Sequence, residues 1–335
     1  CFHNAWNLRI HQNLVFRSLW FILLFGFATG AQSHPGDGLI VDEHGNIYFG
    51  WIQPFTGPGH VACVWKIDKQ GQAHSILSSQ HEPRGAQSSN LFVVLGLDGK
   101  IYCSERQYLG ERNGHDTFIA DLWSIDATGN KTRILGPEQG RSPFGGGSLA
   151  VNREGIIFHA TDRTLIHKRN PDGSKVVLAG STRGHQDGKG RDAQFDNLGT
   201  MAWGLAENLY IHDGDSIRIV DQDGTVTTLA RGLTDIENPN PPQLGQSHFF
   251  DIAVDDEGNV FGSDWGYRRV FKISSTGEKS TLYRSKQPWS PEGIATFENA
   301  LYVLETTGPA LNEIKPRVLK RSVDGMMTTI FEISD

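Results

Sequence analysis

Short apolar runs separated by polar, glycine-containing turns recur from about residue 36 to the end of the chain. In each case a tight turn is followed by a strand-like run with an aromatic residue at its centre. The segments are "DEHGNIYFGW" (42–51), "GLDGKIYCSE" (96–105), "NREGIIFHAT" (152–161), "LAENLYIHDG" (205–214), "DDEGNVFGSD" (255–264) and "TFENALYVLE" (296–305). Runs this short, bounded by turn residues, predict β-strands rather than helices.

The aromatic residues mark a long repeat. They are Tyr48, Tyr102, Phe158, Tyr210, Phe261 and Tyr302, at successive separations of 54, 56, 52, 51 and 41 residues. A second series of glycines closes a polar hairpin in each unit, at Gly71, Gly129, Gly173, Gly224, Gly277 and Gly325. Each unit therefore contains four predicted strands, and its length is typical of a propeller blade.

The repeat predicts the fold class. Six units fill residues 34–335, and no amphipathic helix of ordinary length is expected between them. The predicted fold is all-β, a six-bladed β-propeller with four antiparallel strands per blade, because radial repetition protects the edges of the sheets. A β-helix would need much shorter repeats.

The first 33 residues have a different pattern. Arg9 and Arg17 precede an apolar stretch at 19–27, and small residues follow, with Thr29 and Ala31 at the −3 and −1 positions of a cleavage site. This pattern is typical of a secretory signal peptide. The alternative is an uncleaved membrane anchor, although the stretch is shorter than the roughly 20 residues that cross a bilayer. We expect an exported protein, periplasmic or extracellular, without stable membrane insertion if the leader is cleaved.

Composition and net charge limit the classes of partner that the sequence predicts. The 335 residues are 38% hydrophobic and carry a formal net charge of −7, with no basic run. Nucleic acid is therefore not an expected partner, because phosphate binding needs a basic patch. If the leader is removed, Cys63 and Cys103 remain, and the sequence allows either a disulfide or two buried free thiols.

The segment "GHQDGKGRDAQFDNLG" (184–199) contains the spacing of a dinucleotide-binding loop, at Gly188, Gly190 and Ala193. Such a loop needs a helix directly after the glycines to hold the pyrophosphate. Here a strand follows instead. We therefore interpret the segment as a connection between blades, with Ala193 and Phe195 filling the gap between them.

Several units resemble a known family. "VVLAGSTRGHQDGKGRDAQFDNLGTMAWGLAENLYIHDGDSIRIVDQDGTVTTLA" is similar to an NHL repeat, with its glycine-rich linker, "A-x-F" step, "LY" strand and closing hairpin. "SDWGYRRVFKISSTGEKSTL" in the fifth unit is similar as well. The resemblance implies a propeller of the TolB-like and SMP-30/gluconolactonase-like kind, and it implies no activity by itself.

Loop length distinguishes the two faces of the predicted propeller. Connections from first to second and from third to fourth strands are short turns. Connections from second to third strands, and from one blade to the next, are long and varied: 52–60, 80–90, 106–120, 182–197, 232–248 and 306–316. Binding residues concentrate on long loops held by a rigid frame, so we expect the ligand on this long-loop face.

The innermost strands also begin on the long-loop face, so the residues at their starts are expected to surround the mouth of the central channel. Candidate metal ligands are Asp37, Asp251 and Glu292, and candidate ligand-binding residues are His34, Asn90, Asn197 and Trp289. Carboxylate and amide oxygens suit Ca²⁺ or another divalent cation. The alternative is that these side chains bond neighbouring blades or ordered water.

Three functions follow. The first is a recognition module, monomeric, that binds a small molecule, glycan or protein without chemistry. The second, implied by the resemblance to SMP-30/gluconolactonase-like lactonases, is a metal-dependent hydrolase in which the cation polarises a carbonyl and His248 or a carboxylate activates water. The third is a streptogramin-lyase-like enzyme with His248 and Glu292 as its catalytic pair. The lactonases' leading Glu-Gly-Pro-x-Trp signature is replaced here by "GDGL" at 36–39.

Overall fold

The structure is a computed structural model that describes eight segments of the chain: 36–54, 60–78, 89–112, 115–126, 130–140, 148–234, 249–307 and 314–333. These segments form six β-sheets, each built from consecutive strands. None of the helices formed by the described residues is long and apolar enough to cross a membrane. The predicted all-β, six-bladed propeller is confirmed.

Each blade is an antiparallel sheet of four strands, numbered in chain order. The first three blades contain β1 (Gly36–Val41), β2 (Ile47–Pro54), β3 (His60–Ile67) and β4 (Ala73–Ser78); β5 (Ser89–Leu95), β6 (Ile101–Arg112), β7 (His115–Ile125) and β8 (Lys131–Gly140); and β9 (Leu149–Val151), β10 (Ile157–Thr161), β11 (Leu165–Arg169) and β12 (Lys175–Ala179).

The last three blades follow the same order. They contain β14 (Leu198–Trp203), β15 (Leu209–Asp213), β16 (Ser216–Val220) and β17 (Thr225–Arg231); β18 (Phe249–Val254), β19 (Val260–Asp264), β20 (Arg269–Ile273) and β21 (Lys279–Arg284); and β22 (Trp289–Phe297), β23 (Ala300–Thr307), β24 (Pro316–Arg321) and β25 (Met327–Glu332). The fourth sheet gains an outer fifth strand, β13 (Gly188–Lys189), which pairs with β17. Two short 3₁₀ helices, Gly190–Asp192 and Leu205–Glu207, complete the secondary structure of the described residues.

The six aromatic residues occupy one equivalent place in the sheets. Each lies on the second strand of its blade, opposite the innermost strand, in the pairs Ile40–Tyr48, Val94–Tyr102, Ala150–Phe158, Ala202–Tyr210, Ala253–Phe261 and Ala295–Tyr302. Five of the six aromatic side chains are buried, and Phe261 is partly buried. The repeat that the sequence shows is therefore a repeat of packing, because each blade uses this position to fill the space against a neighbour.

The hydrophobic core lies between blades. One cluster joins Phe158 and Ile166 of the third blade to Met201 and Ile211 of the fourth, and Phe195 lies fully buried within it. The connecting segment between these blades therefore supplies core side chains, as its interpretation as a blade linker predicts.

The ring closes by packing between the first and last blades. Their innermost strands, β1 and β22, lie against each other. Leu39 and Phe49 of the first blade share a buried cluster with Leu304 and Val318 of the sixth. Each sheet draws its four main strands from its own stretch of the chain, so the closure depends on side-chain burial rather than on a shared sheet.

The contact between first and second blades gives a test of this packing. Gly38 has φ +71°, and a Cβ atom there would lie 2.5 Å from the carbonyl oxygen of Val93 in the next blade. Gly38→Ala is expected to cost about 2–3 kcal/mol of unfolding free energy, because strain and a backbone clash add. Gly71→Ala is the matched control, since Gly71 has φ +77° with nothing within 4 Å of its Cβ position. Equal losses for the two variants in urea denaturation would contradict close packing at this seam.

Cys63 and Cys103 are buried thiols that are not joined by a disulfide, which decides between the two alternatives left open by the sequence. Burial raises the pKa of the Cys103 thiol well above its usual range. A thiol held in its neutral form is a poor nucleophile, and Cys103 behaves as a small apolar core residue.

Candidate functional site

The innermost strands start at the long-loop face, and their first residues define the mouth of the central channel. Counted along the chain, Asp37 and Glu292 are equivalent, because each lies three residues before the partner of its blade's aromatic residue. Asp251 lies only two residues before Ala253, the partner of Phe261. It is therefore one residue nearer to the middle of its strand than Asp37 and Glu292 are. Irregular pairing between Phe249 and Ile252 accompanies this start of β18.

Asp251 bonds two neighbouring blades together. Its side chain is buried, its Oδ1 accepts the backbone N–H of Ile252 at 3.0 Å, and its Oδ2 accepts the N–H of Ile294 in the sixth blade at 3.0 Å. The backbone N–H of Asp251 in turn donates to Ser263 Oγ at 3.1 Å. Two amide donors on one carboxylate stabilise its charged form and fix its direction.

Glu292 lies in the adjacent blade and is also buried. Its Oε1 accepts a hydrogen bond from Thr306 Oγ1 at 2.7 Å, and its backbone oxygen accepts one from Ser263 Oγ at 2.5 Å. Ser263 therefore contacts both Glu292 and Asp251, because its Oγ also accepts the backbone N–H of Asp251. The two predicted carboxylates are brought to one blade boundary, each with hydrogen-bond donors from the protein.

Trp289, at the start of β22, is held by a cation–π contact. The guanidinium of Arg317 lies 4.1 Å from the centroid of the Trp289 ring, and the same arginine donates to Glu305 Oε2 from Nε at 2.8 Å. Ser285 Oγ donates to the other carboxylate oxygen of Glu305. Arg268 Nη1 donates to the backbone oxygen of Trp289 at 2.9 Å. The indole ring of Trp289 is therefore positioned by the charged network that contains Arg317 and Glu305.

Asn197 lies outside the set of strand-start residues that surround the mouth. Its Oδ1 accepts a hydrogen bond from Arg163 Nη1 at 3.0 Å, and its backbone N–H donates to Asp213 Oδ1 at 2.8 Å. These bonds tie the end of the linker segment to the hairpin after β10 and to the end of β15. The side chain is partly exposed on the long-loop face.

Four other predicted site residues have no described side chain. His34 and His248 lie outside the described residues, and for Asp37 and Asn90 the structure describes the backbone alone. Their predicted roles in ligand binding, metal binding and catalysis stay predictions. Among the side chains that the structure does describe, no group of three or more His, Cys, Asp and Glu could hold a metal ion.

A series of buried carboxylates near the long-loop ends of the second strands was missed at the level of sequence. Each lies three residues after the aromatic of its blade, and each is at most 1% exposed: Glu105, Asp213, Asp264 and Glu305. That fixed offset is a signal the sequence carries in four of the six units. Carboxylates this deeply buried need partners.

Arginine supplies the partner in the last three blades. Arg218 Nη1 donates to Asp213 Oδ2 at 2.9 Å, and Arg269 Nε donates to Asp264 Oδ2 at 2.9 Å, with both side chains of each pair fully buried. Arg317 plays the same part for Glu305 in the sixth blade. These charges neutralise one another inside the blades, so they stabilise the frame and are not available to a substrate.

Arg218 also organises the glycine-rich linker. Its Nη2 donates to the backbone oxygen of Gln186 at 3.0 Å and to Asp187 Oδ1 at 2.7 Å, and its Nη1 donates to the backbone oxygen of Gln194 at 3.2 Å. The guanidinium lies 5.2 Å from the ring centroid of Phe195. The linker is therefore wrapped around one buried cation, and its glycines serve the chain path rather than a phosphate group.

The central channel below the mouth has an apolar wall. It encloses about 200 Å³ and is lined by residues of all six innermost strands, among them Leu39, Phe92, Leu149, Met201 and Ile294. Of the described residues that line it, only Asp251 carries a charge. The described wall of the channel thus offers apolar surface with one carboxylate that is already hydrogen-bonded.

Comparison with known proteins supports the fold. No protein-family model matches the sequence, and no curated protein does. A protein of unknown function from Bacteroides thetaiotaomicron is 12% identical over 86% of this chain and 69% of that chain, with a TM-score of 0.53. A streptogramin B lyase is 14% identical over 91% of this chain and 85% of its own, with a TM-score of 0.51. A gluconolactonase from Xanthomonas campestris is 15% identical over 83% and 84%, with a TM-score of 0.47.

At sequence identities this low, the structural similarity establishes the propeller fold alone, since one fold hosts many unrelated functions. The six-bladed architecture is what the resemblance to NHL and SMP-30/gluconolactonase-like propellers implied.

Proposed function

We propose that this protein is an exported recognition propeller that binds its ligand on the long-loop face and performs no chemistry there. The observation that carries the proposal is the hydrogen bonding of the Asp251 side chain. Both of its carboxylate oxygens accept backbone N–H groups, one of them from the next blade. A carboxylate that is hydrogen-bonded across a blade boundary in this way stabilises the propeller rather than taking part in a reaction.

The surroundings of Asp251 agree with this role. Glu292 is 1% exposed and bonded to Thr306, and the acid–arginine pairs of the last three blades are neutralised internally. A general acid or base must reach its substrate, and a buried, structurally bonded carboxylate is poorly placed to do so. The proposal therefore assigns ligand binding to the long connections that the sequence predicts for this face.

The expected ligand is a small molecule, a glycan or a protein, taken by a monomeric propeller. The net charge of −7 disfavours nucleic acid. Export rests on the leader-like pattern of residues 1–33, and a membrane-anchored form is the alternative if that segment is retained.

The second candidate function is metal-dependent hydrolysis at the channel mouth. It is favoured by the meeting of Asp251 and Glu292 at one blade boundary, where Ser263 contacts both residues. Carboxylate oxygens are the ligands that Ca²⁺ prefers, so these two side chains are the first two ligands of the proposed cation. Asp37 is the third ligand in this proposal, and a streptogramin-lyase-like reaction would use His248 with Glu292.

Conservative substitution separates these functions. In Asp251→Asn, one oxygen is replaced by an amide donor that faces a backbone N–H, so the variant is expected to lose about 1–3 kcal/mol of unfolding free energy. Glu292→Gln should lose less, because Thr306 can still donate to the remaining oxygen. The measurement is urea denaturation together with elemental analysis of each protein before and after treatment with a chelator.

The recognition proposal expects equal metal content in the wild type and both variants, whatever its level. Asp256→Asn, on an exposed turn of the opposite face, controls for the loss of one charge. One divalent ion per chain in the wild type and in Asp256→Asn, lost from both mouth variants, would contradict recognition without chemistry. That result would select the hydrolase, to be assayed with lactone substrates.

A further inference from the structure

A groove lies between the fifth and sixth blades on the face opposite the mouth. Three short turns border it: the one after β18 at 255–257, the one after β22 at 298–299, and the one after β24 at 322–323. It encloses about 570 Å³. That volume lies within the range of sites that bind small molecules or a few residues of a peptide.

The groove combines an apolar floor with an apolar extension on one side. Phe261, Leu282 and Phe297 line it, and Val323 on its border is 78% exposed. Met326, on the same hairpin as Val323, is 62% exposed. These are the two most exposed large apolar side chains that the structure describes, and apolar surface next to a groove is typical of an interaction site.

The border of the groove is acidic. Its lining residues include four carboxylates, Asp255, Asp256, Glu257 and Glu298, and two cations, Lys272 and Arg321. Lys272 Nζ lies 5.6 Å from the ring centroid of Phe261, inside the groove, whereas Asp256 and Glu298 are exposed at turns. The excess of two negative charges favours a positively charged occupant.

The position of Glu298 is unusual for its residue type. Glu298 and Asn299 have φ values of +48° and +61°, in the left-handed region that favours glycine. Glu298 and Asn299 form the two-residue hairpin between β22 and β23. This tight turn places the start of the Glu298 side chain at the groove border, where its carboxylate is exposed.

We propose that this groove docks a short basic segment of a partner protein, with apolar side chains on the floor and lysine or arginine against the acidic border. A polypeptide is favoured over a small amine because Val323 and Met326 continue the apolar surface beyond the groove itself. This surface lies on the short-turn face, so the proposal is independent of ligand binding at the mouth and of whether the mouth performs chemistry.

Fluorescence anisotropy with a labelled peptide, acetyl-Lys-Leu-Arg-Phe-Lys-amide, tests the proposal. The wild type is expected to bind with a Kd of about 100 μM at low salt, and binding should weaken as salt screens the acidic border. Asp256→Lys combined with Glu298→Lys should weaken it at least about tenfold, because attraction becomes repulsion. Val323→Ser should also weaken it, through loss of apolar contact.

The matched control reverses two acidic turn residues of the same face in other blades, Asp172→Lys with Asp223→Lys, and should change Kd by no more than about twofold. Circular dichroism confirms that each variant is folded. The proposal is overturned if the wild type shows no binding at 1 mM peptide. It is also overturned if a peptide with glutamate in place of each basic residue binds equally well, or if the groove and control variants behave alike.

Discussion

Replacing Arg218 with methionine is expected to lower the free energy of unfolding by about 3–5 kcal/mol. The substitution keeps the apolar length of the side chain but removes the cation from a site that is 0% exposed. Asp213, also 0% exposed, would remain as a buried carboxylate without its guanidinium. The linker carbonyls of Gln186 and Gln194 would each lose the arginine donor as well and keep only the backbone N–H of the other residue. Urea denaturation measures the loss directly.

Arg183→Met is the control for this prediction, because Arg183 belongs to the same linker and pairs with Asp196 at 2.7 Å while 73% of its side chain is exposed. An exposed pair contributes little, so we expect a change of less than about 1 kcal/mol. Limited proteolysis should cut Arg218→Met within 184–197 before the wild type. If both variants lost the same stability, the linker would not be organised by its buried cation.

The repeat was readable from the sequence because blade packing imposes it. Tyr102 and Tyr210, in different blades, meet the same requirement for a large side chain opposite the innermost strand, and the polar turns around them are local in the chain. The number of blades and the two kinds of connection follow from these local signals. The contact between β1 and β22 closes the propeller. These two strands are far apart in the chain, so local sequence patterns do not predict the contact.

The candidate site was less predictable, for two physical reasons. A bulge shifts pairing by one residue without any marker in the sequence. Asp37 pairs with Gly50, whereas Glu292, at the same count along its own strand, lies within the irregular pairing between Pro291 and Gly293. Charge pairing also depends on register. Arg218 and Arg269 each follow their aspartate by five residues, yet Arg269 lies opposite Asp264 whereas Arg218 lies opposite Ile211.

Acid is expected to destabilise the protein partly through His159 in the third blade. This residue is 1% exposed and stacks on His167 of the next strand, with ring centroids 5.5 Å apart. Burial, and then the positive charges of Lys175, His167 and Arg169, lower the pKa of His159 to about 3. In the unfolded chain its pKa is about 6.5. The neutral ring therefore contributes stability that is complete above pH 6.5 and is lost as the pH falls from there towards 3.

His159→Ile is the variant that isolates this effect, since Ile211 occupies the equivalent position in the fourth blade. Between pH 7 and pH 4.5 the wild type should lose about 2–3 kcal/mol more unfolding free energy than the variant, because only the wild type must keep the buried imidazole of His159 neutral. Carboxylates, and His212 with its own pKa lowered to about 4 by burial, titrate in both proteins and cancel in the difference. His44→Gln, at an exposed turn, should follow the wild type. Parallel pH profiles for wild type and His159→Ile would mean that the blade opens enough to let water reach the ring before it is protonated.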